Sequence, residues 1–182
     1  MIYDQKSASV VKKTIEKYGG EPVMERSGYG FIKSRFLKLH SLMAGEISGH
    51  FFFRELGNDD GLYATLKMGT IIEKEKKSLA DMVDEFPRSL ITPDLRMFCP
   101  YEVQDNWLDK IRSLKMMYPI SELDGVRVEF NKGWFLIRKS VTEEAVTIRA
   151  EADNRETLEY IYETVCGVLP ELSQLDFFSA KP

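Results

Sequence analysis

Leu42-Met43-Ala44-Gly45-Glu46-Ile47-Ser48-Gly49-His50-Phe51-Phe52-Phe53 joins two apolar triplets through a polar loop. Leu42 to Ala44 reads as a strand that delivers the chain into Gly45–His50, and the three phenylalanines carry it away. The loop holds a carboxylate, a hydroxyl and an imidazole within six residues, and Gly45 and Gly49 let the backbone turn tightly around them. Glu46 and Ser48 can accept and donate hydrogen bonds to a polyhydroxylated ligand, which makes the loop a candidate hydroxyl-binding site. The same six residues also suit a surface turn with a capping Ser.

Upstream, Met1-Ile2-Tyr3 reads as a strand that enters Asp4–Ser7. Val10, Val11, Thr14, Ile15 and Tyr18 then recur at helical spacing up to the stop signal Gly19-Gly20. Glu21–Glu25 gives a second strand. After the break at Gly28-Tyr29-Gly30, Phe31, Phe36 and Leu39 predict a helix over Phe31–Leu39. Strands alternating with helices predict a βαβ unit in an α/β domain with a mixed, mainly parallel sheet. Ligands of such sheets collect at the carboxyl ends of the strands. Lys6, Tyr29 and Glu46 each follow a predicted strand end, so they are expected to face one crevice.

Downstream, Asn58-Asp59-Asp60-Gly61 is a turn and helix-start signal. Leu62–Ile72 has the apolar positions of a helix, with Glu73–Lys77 as its solvated end. Ser78–Phe86 places Leu79, Met82, Val83 and Phe86 on one face. Pro87 ends that helix, and the pattern changes across Arg88–Pro93, so the chain is read as two domains, 1–88 and 89–182. The second opens with a strand at Leu95–Phe98 and a helix over Gln104–Met117 that turns Trp107, Leu108, Ile111 and Leu114 inward. Strands follow at Val126–Phe130, Trp134–Ile137 and Val146–Ala150, the first two joined by a tight turn at Asn131–Gly133. A last helix runs over Asn154–Val168 with Leu158, Ile161, Tyr162 and Val165 toward the sheet. This is a smaller α+β domain of β-α-β-β-β-α order. Between two of its strands lies Arg138-Lys139-Ser140-Val141-Thr142. Two cations, two hydroxyls and turn N–H groups suit a dianionic phosphate there, and equally a solvated hairpin loop.

Composition bounds the rest. The 182 residues, 43% hydrophobic and 30% charged, suit an ordinary globular protein of one large or two small domains. A net charge of −4 with no basic run gives no reason to expect nucleic acid or an anionic membrane as the main partner. Cys99 and Cys166 are far apart and match no metal-ligand spacing, so they read as thiols in a reducing, cytoplasmic setting. No apolar run approaches the roughly 18 residues that span a bilayer.

Four motifs in order, Tyr3-Asp4-Gln5-Lys6, Ser27-Gly28-Tyr29-Gly30-Phe31-Ile32-Lys33, Gly45-Glu46-Ile47-Ser48-Gly49-His50 and Asp59-Asp60-Gly61, resemble the third domain of the α-D-phosphohexomutases. Asp124-Gly125-Val126-Arg127-Val128, Gly133-Trp134 and Arg138-Lys139-Ser140-Val141-Thr142-Glu143 are similar to the fourth. The resemblance implies α/β/α layers in the first domain and a TATA-binding-protein-like second. It also implies an isomerase that interconverts hexose 1-phosphate and 6-phosphate through a bisphosphorylated sugar that reorients between two phosphoryl transfers. Glu46 and Ser48 would hold sugar hydroxyls, Lys6 and Tyr29 would lie near the sugar, and Arg138, Lys139, Ser140 and Thr142 would hold the non-reacting phosphate. His50 fits a polar contact or a proton-transfer aid, and equally a structural histidine.

The chain departs from the family pattern at three places: Tyr29 stands for His, Val141 for Asn and Glu144 for Pro. The family's phosphoserine and the Asp-x-Asp-x-Asp loop for Mg²⁺ belong to its first two domains, and neither motif occurs here. Without them phosphoryl transfer lacks its main stabilisation. The expectation is therefore a C-terminal mutase half, a fragment inactive alone, with no catalytic residue or metal of its own, whose partners are a hexose phosphate and the missing domains 1 and 2. The alternative is a complete, non-catalytic sugar-phosphate sensor or interaction protein with degenerate mutase domains.

Overall fold

Alternating strands and helices in the first half fold as the period change predicts. In the computed structural model, which describes residues 1–140 and 142–179, the chain forms two units, Met1–Pro87 and Arg88–Pro182. The first contains β1 (Ile2–Asp4), α1 (Ser9–Lys17), β2 (Val23–Glu25), α2 (Tyr29–Lys38), β3 (Met43–Gly45), β4 (Phe51–Phe53), β5 (Asn58–Asp59), α3 (Gly61–Glu75) and α4 (Leu79–Asp84). Its sheet runs β2-β1-β3-β4-β5. The helical crossovers α1 and α2 return the chain parallel, so β1 pairs in parallel with both β2 and β3. The short Glu46–His50 connection permits only a hairpin, so β4 pairs with β3 antiparallel, and β5 with β4 likewise. The sheet is thus mixed, with its three parallel strands side by side.

Ile2, Ala44 and Phe52 from the sheet pack with Ile32 and Phe36 of α2 as the buried core of this unit. Ile32 and Phe36 are four apart and share a helix face. Phe31 and Leu39, two of the residues that signal this helix, are exposed, and the Arg26 guanidinium lies 3.3 Å from the Phe31 ring centroid. The Asn58-Asp59 turn signal proves to be a two-residue strand against Phe52–Phe53. Helices α3 and α4 bury no residue, so the apolar positions expected to seat them, including Leu62, Leu66 and Val83, stay exposed.

The second unit contains β6 (Leu90–Ile91), β7 (Leu95–Phe98), α5 (Tyr101–Arg112), β8 (Ile120–Ser121), β9 (Val126–Phe130), β10 (Gly133–Lys139), β11 (Ala145–Ala152) and α6 (Arg155–Val168). Its sheet runs β6-β11-β10-β9-β8, with β7 also on β11, and every pairing is antiparallel. β6 and β8 add to the expected order, and α5 begins three residues earlier than its apolar period suggests. Alternation sets the two faces. Val126, Val128, Phe135, Ile137, Val146 and Ile148 pack with Leu108 and Ile111 of α5 and with Leu158, Ile161 and Val165 of α6. On the opposite face Trp134 sits between Glu129 and Glu151 in register. Its indole N–H donates to the Glu151 carboxylate, and Arg127 covers its ring at 4.0 Å. Cys99 and Cys166 are free thiols, the first buried and the second half-buried. No helix among the described residues is long and apolar enough to cross a membrane.

Candidate functional site

In the first unit the carboxyl ends of β1, β2 and β3 lie side by side, and Asp4, the last residue of β1, is fully buried among the loops that follow them. Its Oδ1 accepts from the Lys6 N–H at 2.5 Å and from the Ser27 hydroxyl at 3.3 Å, and its Oδ2 accepts from the Ile47 N–H at 2.8 Å. The loops carrying Lys6, Ser27 and Glu46 are therefore neighbours, and Tyr29 opens α2 two residues after Ser27. In the Glu46 loop the Glu46 N–H donates to the His50 carbonyl at 3.0 Å and the Gly49 N–H to the Glu46 carbonyl at 2.9 Å. Gly49 adopts φ +93°, a conformation that a side chain would strain. Glu46 Oε2 is buried and has no hydrogen-bond partner among the described residues. A buried carboxylate oxygen in that state is costly until a donor reaches it. Ser48 is exposed at the tip of the same loop.

His50 is held from two sides. Its Nδ1 lies 2.8 Å from Asp59 Oδ2, and its ring meets that of Tyr29 edge-on at 5.1 Å between centroids. The hydrogen bond with His50 is the chief cause that holds the Asp59 carboxyl below its ordinary value; Tyr29 adds to it, and burial opposes it. Asp59 is therefore ionised at neutral pH and can only accept, so Nδ1 carries the proton and Nε2 is left for a second partner. The Tyr29 hydroxyl donates to Asn58 Oδ1 at 3.2 Å and accepts from Lys33 Nζ at 3.2 Å. Sequence alone does not mark Asp4 as a site residue, and it marks Asp59 only as part of a turn. The one local signal at Asp4 is a carboxylate that ends an apolar strand.

In the second unit Arg138 and Lys139 are the last two residues of β10 and not part of a loop, because the β10–β11 ladder extends through them. Arg138 Nε lies 3.3 Å from Asp124 Oδ2, and Lys139 Nζ lies 2.5 Å from Asp105 Oδ1 on α5. The Ser140 N–H donates to the Ala145 carbonyl, and the Thr142 N–H reaches Ser140 Oγ at 3.4 Å. Val141 lies outside the described residues. The turn holding Asp124 needs its glycine: Gly125 has φ +82°, and a Cβ there would stand 2.2 Å from the Ile137 carbonyl oxygen. Among the described residues, no group of three His, Cys, Asp or Glu is placed to hold a metal ion.

A family model described as phosphoglucomutase/phosphomannomutase, alpha/beta/alpha domain III, matches residues 1–90, and that of the C-terminal domain of the same family matches residues 100–168. The chain belongs to the phosphoglucomutase/phosphomannomutase family. It is 36% identical to the phosphoglucomutase of Neisseria gonorrhoeae over 167 residues, 88% of this chain and 36% of that protein. It is 34% identical to the phosphomannomutase/phosphoglucomutase of Pseudomonas aeruginosa strain PAO1, with the same coverage of each. A solved phosphoglucomutase/phosphomannomutase family protein of Burkholderia thailandensis superposes with a TM-score of 0.80 at 30% identity, over 94% of this chain and 37% of the other. The chain thus spans little more than a third of the length of the curated relatives it matches.

Proposed function

We propose that the chain is the substrate-binding half of a phosphohexomutase, which interconverts hexose 1-phosphate and hexose 6-phosphate through a bisphosphorylated sugar. The carrying observation is the buried, unpartnered Glu46 Oε2 in a loop at the carboxyl end of β3. A sugar hydroxyl is the donor that oxygen lacks. Glu46 and the exposed Ser48 grip hydroxyls common to both orientations of the sugar, and Lys6 and Tyr29 border it. His50 Nε2, with its tautomer set by Asp59, offers a further polar contact or takes up a proton. Arg138, Lys139, Ser140 and Thr142 hold the non-reacting phosphate, which shares the two cations with Asp124 and Asp105. The phosphoserine and Mg²⁺ of the reaction belong to domains 1 and 2, outside these residues. The chain alone should therefore bind but not isomerise, in a cytoplasmic setting without nucleic-acid or membrane partners.

Titration with glucose 1-phosphate, followed by amide NMR, tests this reading. Expected is weak binding, on the order of millimolar for a half-site, with shifts at Glu46–His50 and at Ser140–Thr142. Arg138→Ala should weaken it by about 1–3 kcal/mol. Sub-micromolar affinity, or shifts at neither loop, would sink the proposal.

A further inference from the structure

We propose that Asp4 is a positioning residue, which locks the Glu46 loop against the loops that follow β1 and β2. The inference rests on the proposed sugar-binding role of the Glu46 loop only for its functional consequence; the lock itself is a matter of geometry. Asp4 is 0% exposed, and the donors on its carboxylate come from Lys6, Ser27 and Ile47, one from each loop that follows a parallel strand. A carboxyl group is tolerated in such a place only when several donors converge on its oxygens. The two oxygens divide the work. Oδ1 ties the loop after β1 to the loop after β2, and Oδ2 ties both to Ile47, which is flanked by the proposed sugar contacts Glu46 and Ser48.

An amide cannot replace this carboxylate. Asparagine presents one oxygen and one NH₂, so whichever way it turns, its NH₂ faces an N–H or hydroxyl donor and one tie is lost. Glutamate carries the right charge on a longer stem and displaces it. Asp4 thus fixes where Glu46 stands without touching the sugar.

Asp4→Asn is compared with Ile2→Val, which trims a fully buried side chain of the same strand and leaves every tie in place. Amide exchange at Lys6 and Ile47, glucose 1-phosphate affinity and thermal midpoint are measured for the intact 182-residue chain. Asp4→Asn should accelerate exchange at Lys6 or Ile47 by tenfold or more and weaken glucose 1-phosphate binding by about tenfold, equal to about 1.4 kcal/mol. Ile2→Val should lower the midpoint and change neither. Unchanged exchange at both amides overturns the proposal, as does an equal binding loss in Ile2→Val. If the parent chain binds no glucose 1-phosphate, the functional reading falls and the exchange result alone decides the role of Asp4. Should Asp4→Asn not fold, a through-bond NMR coupling between the Ile47 amide nitrogen and the Asp4 carboxyl carbon decides it in the parent chain: its presence supports the tie and its absence overturns it.

Discussion

Asp59 accepts a hydrogen bond from His50, and that bond makes the first unit sensitive to acid. Its carboxyl is held below the ordinary 3.8, so around that pH the folded chain binds fewer protons than the unfolded one. The stabilisation is complete well above 3.8 and is lost as pH falls below that value and through the lower folded one. Asp59→Asn should therefore show a smaller fall in thermal midpoint than the parent between about pH 5 and about pH 3. Gly125 offers a test of a different kind. Gly125→Ala forces a Cβ to 2.2 Å from the Ile137 carbonyl oxygen at φ +82° and should cost about 2–4 kcal/mol in urea unfolding. Gly57→Ala, at φ +67° in open space, should cost only about 1 kcal/mol. Glu46, Ser48 and His50 stand out as candidates because they fall within five consecutive residues. Asp4 does not, because its donor at Ile47 is 43 residues away and no local pattern reports such a pairing.

Helices α3 and α4 show what an element's own period can and cannot say. The apolar spacing of Leu62–Ile72 correctly announces a helix, and Asp60 caps it by accepting from the Tyr63 N–H at 2.7 Å. Periodicity does not say whether a face is covered, and here none of the residues of α3 is buried. Leu66→Lys should accordingly change stability by less than about 0.5 kcal/mol, whereas Phe52→Ala, in the core beneath α2, should cost about 3–5 kcal/mol. The same urea titrations check both. β5, β6 and β8 escaped sequence reading because each is two residues long, too short for alternation to register. The apolar residues Phe31, Phe36 and Leu39 announce α2, but spacing alone does not pick its buried face: Ile32 and Phe36 share it.

Across the whole molecule the two units differ in how much core supports them. Among the described residues, Ile2, Ile32, Phe36, Ala44 and Phe52 form the buried cluster of the first, while nineteen buried residues form that of the second. Amides of β1 and α2 should thus exchange before those of β9 to β11, and unfolding should depart from a single two-state step. Phe135→Ala should shift only the later transition. Trp134, buried against Glu151, determines what an optical experiment sees of this. Both tryptophans of the chain, Trp107 and Trp134, belong to Arg88–Pro182. Emission excited selectively from tryptophan therefore reports on one unit and is blind to the other. A fluorescence melt would score the protein as native while the Glu46 loop had already come apart.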